Sequence, residues 1–176
     1  MAANTNPKSP PPATGAANNF PIWSSRGAMS ILYLDTSVLV KQYIQESGSN
    51  EVQKLILTAE HAGTSLIARA EMAAALARAT RLKILPATEA DEAWEQFLAD
   101  WSSLSRLNVS RQIIEQASSL VWDFPLRGYD AVHLASAILW RETLEAEIIL
   151  ATFDRELWSA ANNAGLTTWP EKLSRR

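Results

Sequence analysis

An α/β fold built on a mainly parallel sheet is the class this sequence predicts, and two observations predict it. Short apolar runs recur along the chain: ILYL (31–34), HAGTSLI (61–67), LNV (107–109), EIILAT (147–152) and LTTW (166–169). Segments of helical period separate them, and strands separated by helices point to parallel pairing.

Each element carries its own signal. ILYL is continuously apolar, as a buried strand is, and residues 38–44 continue as a short helix. SGSNEVQKLILTAE (47–60) opens on serine and asparagine start signals and sets Val52, Leu55 and Ile56 on one helical face. HAGTSLI is a strand entered through Gly63. ARAEMAAALARATRLKI (68–84) is rich in alanine, the strongest helix former, and Pro86 stops it. TEADEAWEQFLADWSSL (88–104) begins with Thr88 and a first turn of acids, and aligns Ala93, Phe97 and Trp101 on one stripe. After LNV, Ser110 is placed to cap RQIIEQASSLVWDF (111–124), which Pro125 follows. GYDAVHLASAILWRETL (128–144) is the next helix, and EIILAT the strand after it. RELWSAANNAG (155–165) is a helix that Gly165 can end, and LTTW is an edge strand before Pro170. No internal repeat is present.

The chain has 176 residues, 47% hydrophobic and 20% charged, which suits one soluble domain with a substantial core. No apolar run nears the roughly 18 residues of a membrane span, so no membrane association is expected. Cysteine is absent, which excludes disulfides, thiolate metal sites and a cysteine nucleophile and fits a reducing, cytoplasmic compartment. Two histidines, His61 and His133, are too few for a histidine-rich metal site. Chemistry is left to carboxylates, hydroxyls and arginines. Residues 1–28, rich in Pro, Ala, Asn, Ser and Gly and without period, are expected to be a disordered tail or a non-native extension, leaving 29–176 as the domain. They lack the apolar centre of a secretory signal. Setting aside their Lys8 and Arg26 moves the net charge from −3 to −5, 14 basic against 19 acidic residues. So acidic a domain is no general polyanion binder, and any contact with nucleic acid must be local or metal-assisted.

Ligands of an open parallel sheet bind beyond the carboxyl ends of its strands. Asp35 directly follows the first strand, Asp154 follows the fourth, and Glu71 lies one turn into the helix after the second. Asp130 opens the helix at 128, where it could face inward or cap. Taken singly, Asp35, Asp130 and Asp154 are explained as helix caps. Glu71 is less easily dismissed, because its alanine-rich surroundings suggest burial on most faces, and a buried carboxylate needs a cation, a proton or dedicated donors. Together, such acids would repel one another unless a cation sat among them, and an all-oxygen set suits Mg²⁺ or Mn²⁺. A metal so held can bind phosphate oxygens and activate water, which lets an acidic protein act on an acidic polymer.

At LYLDTSVLVKQY, TSLIARAEMAAAL, RGYDAVHLASA and LATFDREL the chain resembles PIN-domain ribonucleases, specifically VapC-type toxins of bacterial toxin–antitoxin pairs. The four pieces stand in the family's order and span 29–169. The resemblance implies a three-layer α/β/α sandwich with an acidic pocket for Mg²⁺ or Mn²⁺. It implies Asp35 and Asp130 as the main metal ligands, Glu71 and Asp154 completing the catalytic site, and Ser37 and Thr152 as supporting hydroxyls. It further implies cleavage of single-stranded RNA, commonly a tRNA or rRNA loop, to a 3′-hydroxyl and a 5′-phosphate. The implied partners are a second copy of the chain and a VapB-type antitoxin that pushes a basic side chain into the pocket.

Arg127 is read as a contact for phosphate or antitoxin, or equally as a surface ion pair. Arg69, Arg78, Arg81 and Lys83 are read as a solvated helix face. His133, three residues past Asp130, is read as a packing residue or a partner of the ligands rather than a ligand. Trp94, Trp101, Trp140 and Trp158 are read as packing before RNA stacking. Two rivals remain: a Mg²⁺-dependent α/β phosphatase or receiver-like domain, and an inert binding module with structural acids. A dehalogenase-type phosphatase would want an acid at Ser37, and no P-loop motif occurs. Metal dependence of hydrolysis separates the three readings.

Overall fold

β1 (Ser30–Leu34) lies at the centre of a five-stranded sheet whose order is β3-β2-β1-β4-β5 and whose pairs are all parallel. The computed structural model describes residues 30–173, so the tail expected at 1–28 lies outside the described residues. The remaining strands are β2 (Ala59–Ser65), β3 (Ser105–Leu107), β4 (Ile148–Ala151) and β5 (Thr167–Trp169). Seven helices among the described residues connect them: α1 (Thr36–Tyr43), α2 (Ser49–Leu57), α3 (Ile67–Arg81), α4 (Ala87–Asp100), α5 (Arg111–Asp123), α6 (Gly128–Leu144) and α7 (Arg155–Asn163). None is long and apolar enough to cross a membrane.

The continuous apolar run of β1 follows from its position, because both of its faces are covered. Leu32 and Leu34 enter one core with Val38, Val52, Met72, Phe97 and Trp101 under α1 to α4. Tyr33, pointing the other way, enters a second core with Leu134, Ile138, Leu150 and Leu157 under α6 and α7. A third cluster, including Ile113, Ala117, Ala131 and Ala135, fastens α5 to α6. The result is a three-layer α/β/α sandwich. The chain runs outward from β1 to β2 and β3, then returns to place β4 and β5 on the other side. That reversal opens a crevice at the carboxyl ends of β1 and β4.

Four sequence expectations need correction. Ala59 and Glu60, expected in α2, belong to β2, because Ser30 pairs with Ala59 and Ile31 with His61. α3 ends at Arg81, before Pro86 can act. Lys83 turns to φ 56, its N–H donates to Thr80 O, and Ile84 N–H donates to Ala79 O. This is a Schellman closure with lysine where glycine is usual. β3 sits two residues earlier than LNV, as a short edge strand. Finally, α3 buries only Ala68, Met72 and Leu76 and exposes Ala70, Ala73, Ala74 and Ala77, so its alanine content does not mark burial. Gly63 answers to close approach: a Cβ there would stand 2.6 Å from the Trp140 ring and 3.0 Å from Ser105 O.

Candidate active site

Asp35 is delivered to the crevice by β1, whose ladder to β4 is prolonged by Asp35 N–H donating to Ala151 O at 3.0 Å. The side chain caps α1 by accepting from Ser37 N–H. One oxygen, Oδ2, accepts from Ser37 N at 3.2 Å, Ser37 Oγ at 2.6 Å and Thr152 Oγ1 at 2.8 Å. The two hydroxyls are themselves oriented from the end of β4. Phe153 N–H donates to Ser37 Oγ at 2.8 Å, and Asp154 N–H to Thr152 Oγ1 at 3.0 Å. Asp35 is therefore buried, 5% exposed, with a complete set of donors on one oxygen. Its other oxygen, Oδ1, has the His133 Nε2 at 3.7 Å.

Asp154 is both a site acid and the cap of α7, accepting from Leu157 N–H at 2.9 Å. Glu71 projects from the second turn of α3 and turns one oxygen, Oε2, onto Thr36 Oγ1 at 2.6 Å and His133 Nε2 at 2.7 Å. Burial pushes its carboxyl up, but the hydrogen bond and charge of His133 and the Thr36 hydroxyl outweigh that and hold it below the usual glutamate value. For His133 burial works downward. The Glu71 hydrogen bond and the charges of Asp35, Glu71 and Asp130 prevail, and the imidazole is raised. The ring's other nitrogen, Nδ1, lies 2.9 Å from Tyr33 Oη.

Asp130 is the third residue of α6, and its carboxylate reaches back to the backbone N–H of the N-cap residue Arg127. That is one half of a capping box. Burial and the charges of Asp154 and Asp35 raise it to about 6, against 3.8 ordinarily. Arg127 thus enters the site through its backbone, while its side chain is exposed.

The structure brings Asp35, Thr152, Ser37, Asp154, Asp130 and Glu71 to one crevice, joined by direct bonds or by the electrostatic influence just described. Among the described residues no three carboxylate or imidazole groups already stand as a metal cluster. The donor set nevertheless fits a hard cation: Asp35 Oδ1, Glu71 Oε1, Asp130 and Asp154 could supply oxygen, and the charges of Asp154 and Asp35 are both set against Asp130. The sequence reading missed Thr36 and Tyr33; His133, read as a packing residue or a partner of the ligands, is a buried partner of Glu71. Thr36 sits between Asp35 and Ser37, and the alternation of β1 aims Tyr33 at α6; those are the only signals either residue carried.

Comparisons with known proteins place the chain in a family and match its fold. The PIN domain family matches residues 32–163. Ribonuclease VapC49 of Mycobacterium tuberculosis (strain ATCC 25618 / H37Rv) is 33% identical over 148 residues, covering 82% of this chain and 99% of that protein. Ribonuclease VapC46 of the same strain is 30% identical over 139 residues, covering 78% and 95%. Two solved structures share the fold. M. tuberculosis VapC20, described as a sarcin-ricin loop cleaving toxin, gives a TM-score of 0.56 at 15% identity over 77% of this chain and 96% of that one. VapBC2 from Rickettsia felis, bound to a DNA fragment from its promoter, gives 0.55 at 14% identity over 78% and 96%. The chain belongs to the PIN-domain family and, within it, to the group of VapC ribonucleases.

Proposed function

We propose that this protein is a Mg²⁺- or Mn²⁺-dependent endoribonuclease that cuts single-stranded RNA and acts as a growth-inhibiting toxin. The observation that carries the reading is the gathering of acids at the carboxyl ends of β1 and β4: Thr152 Oγ1 ties Asp35 to the backbone of Asp154, and His133 Nε2 stands 2.7 Å from Glu71 Oε2 and 3.7 Å from Asp35 Oδ1. Burial and the charges of Asp154 and Asp35 raise the Asp130 carboxyl, a repulsion that a divalent cation would relieve. Asp35 and Asp130 would be the main ligands, with Glu71 and Asp154 completing the site. When bound, such an ion neutralises a phosphate and activates water for its hydrolysis.

The chain's own residues do the remaining work. Ser37 and Thr152 hold Asp35 Oδ2 and so aim Oδ1 into the crevice. Thr36 and His133 do the same for Glu71. Asp154, tied to the first turn of α7, fixes the far edge of the pocket. Hydrolysis at this site would leave a 3′-hydroxyl and a 5′-phosphate. A tRNA or rRNA loop is the proposed substrate class, in keeping with one structural neighbour, VapC20, described as a sarcin-ricin loop cleaving toxin. The VapBC neighbour supports a VapB-type antitoxin as partner, offering a basic side chain to the acidic pocket. A homodimer in the cytoplasm completes the proposal.

The test is incubation of the purified full chain with structured RNAs, in Mn²⁺ or in chelator, followed by mapping of new 5′ ends. Discrete cuts in loops that chelator removes are expected. Cleavage that survives chelator, or hydrolysis confined to small phosphate monoesters, would refute the proposal.

A further inference from the structure

His133 is fully buried, with a partner at each ring nitrogen, as burial of an imidazole demands, and one of those partners is a site carboxylate. Nε2 lies 2.7 Å from Glu71 Oε2 and 3.5 Å from Thr36 Oγ1, and Nδ1 lies 2.9 Å from Tyr33 Oη. Tyr33 is itself fully buried, edge-on to the imidazole at 5.8 Å between centroids and edge-on to Trp140 at 6.3 Å. The imidazole cannot rotate without breaking a hydrogen bond on each side. Glu71, by contrast, belongs to a helix whose neighbouring alanines face solvent, and its side chain is 21% exposed. Nothing on α3 itself would keep so long a side chain in one orientation. Thr36 and His133 do so from two other elements, and both engage the same oxygen. Oε1 is thereby left as the oxygen Glu71 can offer, which repeats the division at Asp35, where Oδ2 is occupied by donors and Oδ1 accepts none, the His133 Nε2 standing 3.7 Å away.

We propose that His133 is a positioning residue of the site: braced by Tyr33, it fixes with Thr36 one oxygen of Glu71 so that the other is presented to a divalent cation. The inference rests on the metal-dependent reading above and adds to it a chain of side chains, Tyr33 to His133 to Glu71, running from the core to the pocket. Residues that orient ligands in this way change metal affinity when replaced, typically by about 10- to 100-fold.

Two substitutions divide the function of the ring. His133→Gln keeps an amide N–H where Nε2 stood, so the bond to Glu71 survives. His133→Asn keeps a polar group near Nδ1 and cannot reach Glu71. Mn²⁺ affinity of the full-length variants, read from free-ion electron paramagnetic resonance, should fall about 10- to 100-fold in His133→Asn and markedly less in His133→Gln. In a Glu71→Gln background, His133→Asn should add no further loss. Thr36→Val, at a half-buried position outside the main cores, removes the second donor and should weaken Mn²⁺ binding in the same direction, which keeps the test decisive if His133→Asn fails to fold.

A purely structural histidine makes the opposite forecast: both His133 variants melt earlier, the folded fraction binds Mn²⁺ as the parent does, and any effect persists without Glu71. That result overturns the proposal, as does a parent protein that binds no Mn²⁺. Unchanged Mn²⁺ binding in the variants, with RNA cut by the parent, removes the positioning role and leaves the ribonuclease. The expected variant pattern in a parent that leaves RNA intact removes the ribonuclease and leaves the positioning role.

Discussion

Asp35 and Asp130 are brought to one crevice from different layers, and they are neutralised in opposite ways. Asp35, at the end of the central strand, accepts three hydrogen bonds on a single oxygen from Ser37 and Thr152. Asp130, in the first turn of α6, has one backbone donor and the charges of Asp154 and Asp35 set against it. A strand end can be solvated by the hydroxyls of its neighbours. A helix-borne acid aimed at the same point is left to a proton or a cation. The pocket therefore pairs a satisfied carboxylate with an opposed one, and the second is where the proposed metal would gain most.

The comparison is broken hardest by removing the charge of Asp35. Asp35→Asn should lower single-turnover RNA cleavage by at least about 100-fold, the scale of losing one preorganised charge at a reacting centre. Its melting temperature should barely change, since asparagine caps as well as aspartate; Asp35→Ala strips three donors of their acceptor and should cost at least about 1–3 kcal/mol in urea melts.

Asp130→Asn should abolish Mn²⁺-induced stabilisation and yet raise the stability of the metal-free protein above neutral pH. The sign follows from its position at about 6 rather than 3.8. Between these values the folded chain holds a proton the unfolded chain has released, so metal-free stability falls as pH rises through about 6. Melts in chelator at pH 5 and pH 8 should show the variant's advantage growing with pH. Saturating Mn²⁺ should reverse the order. An advantage independent of pH would remove the contrast between the two acids.

Smaller effects sharpen the picture. Thr152→Val takes one donor from Asp35 and leaves the Asp154 N–H without its acceptor, a loss of about 1–3 kcal/mol in urea melts. Cleavage should fall with it, by about 10- to 100-fold, as the ligand loses its orientation. Asp154→Asn keeps the cap of α7 and should move stability by no more than about 0.5 kcal/mol. It should also lower the Asp130 titration seen by carboxyl NMR toward the ordinary value, because Asp154 is the largest charge acting on it.

Much of this was legible in the sequence for local reasons. α6 falls on GYDAVHLASAILWRETL to the residue, although its buried residues run consecutively from 131 to 138 rather than along one face. Asp35 and Asp154 were placed at strand ends because a strand's end can be read without knowing its neighbours. Glu71 was found for an incomplete reason: its helix is exposed along much of its alanine face, and what holds the acid is Thr36 and His133. Those two bonds, and the Tyr33–His133 bond behind them, join residues 35, 62 and 100 positions apart. No periodicity reports contacts at such separations; they exist only once β1, α3 and α6 have packed. The same is true of β2, whose first residues carry a helical pattern that pairing with β1 overrides.

The hydroxyl cradle has a consequence in time. Asp35 and Ser37 are among the first residues of the domain to be synthesised, while Thr152 and Phe153, which complete the cradle, lie 115 to 117 positions later. A growing chain can therefore fold much of its α1–α4 side around β1 and still carry an unassembled pocket. The order of the sheet, with its first strand in the middle, makes completion of the last third a condition of activity. A chain made only as far as α5 therefore has the first acid of the pocket without the hydroxyl and backbone donors that complete its cradle.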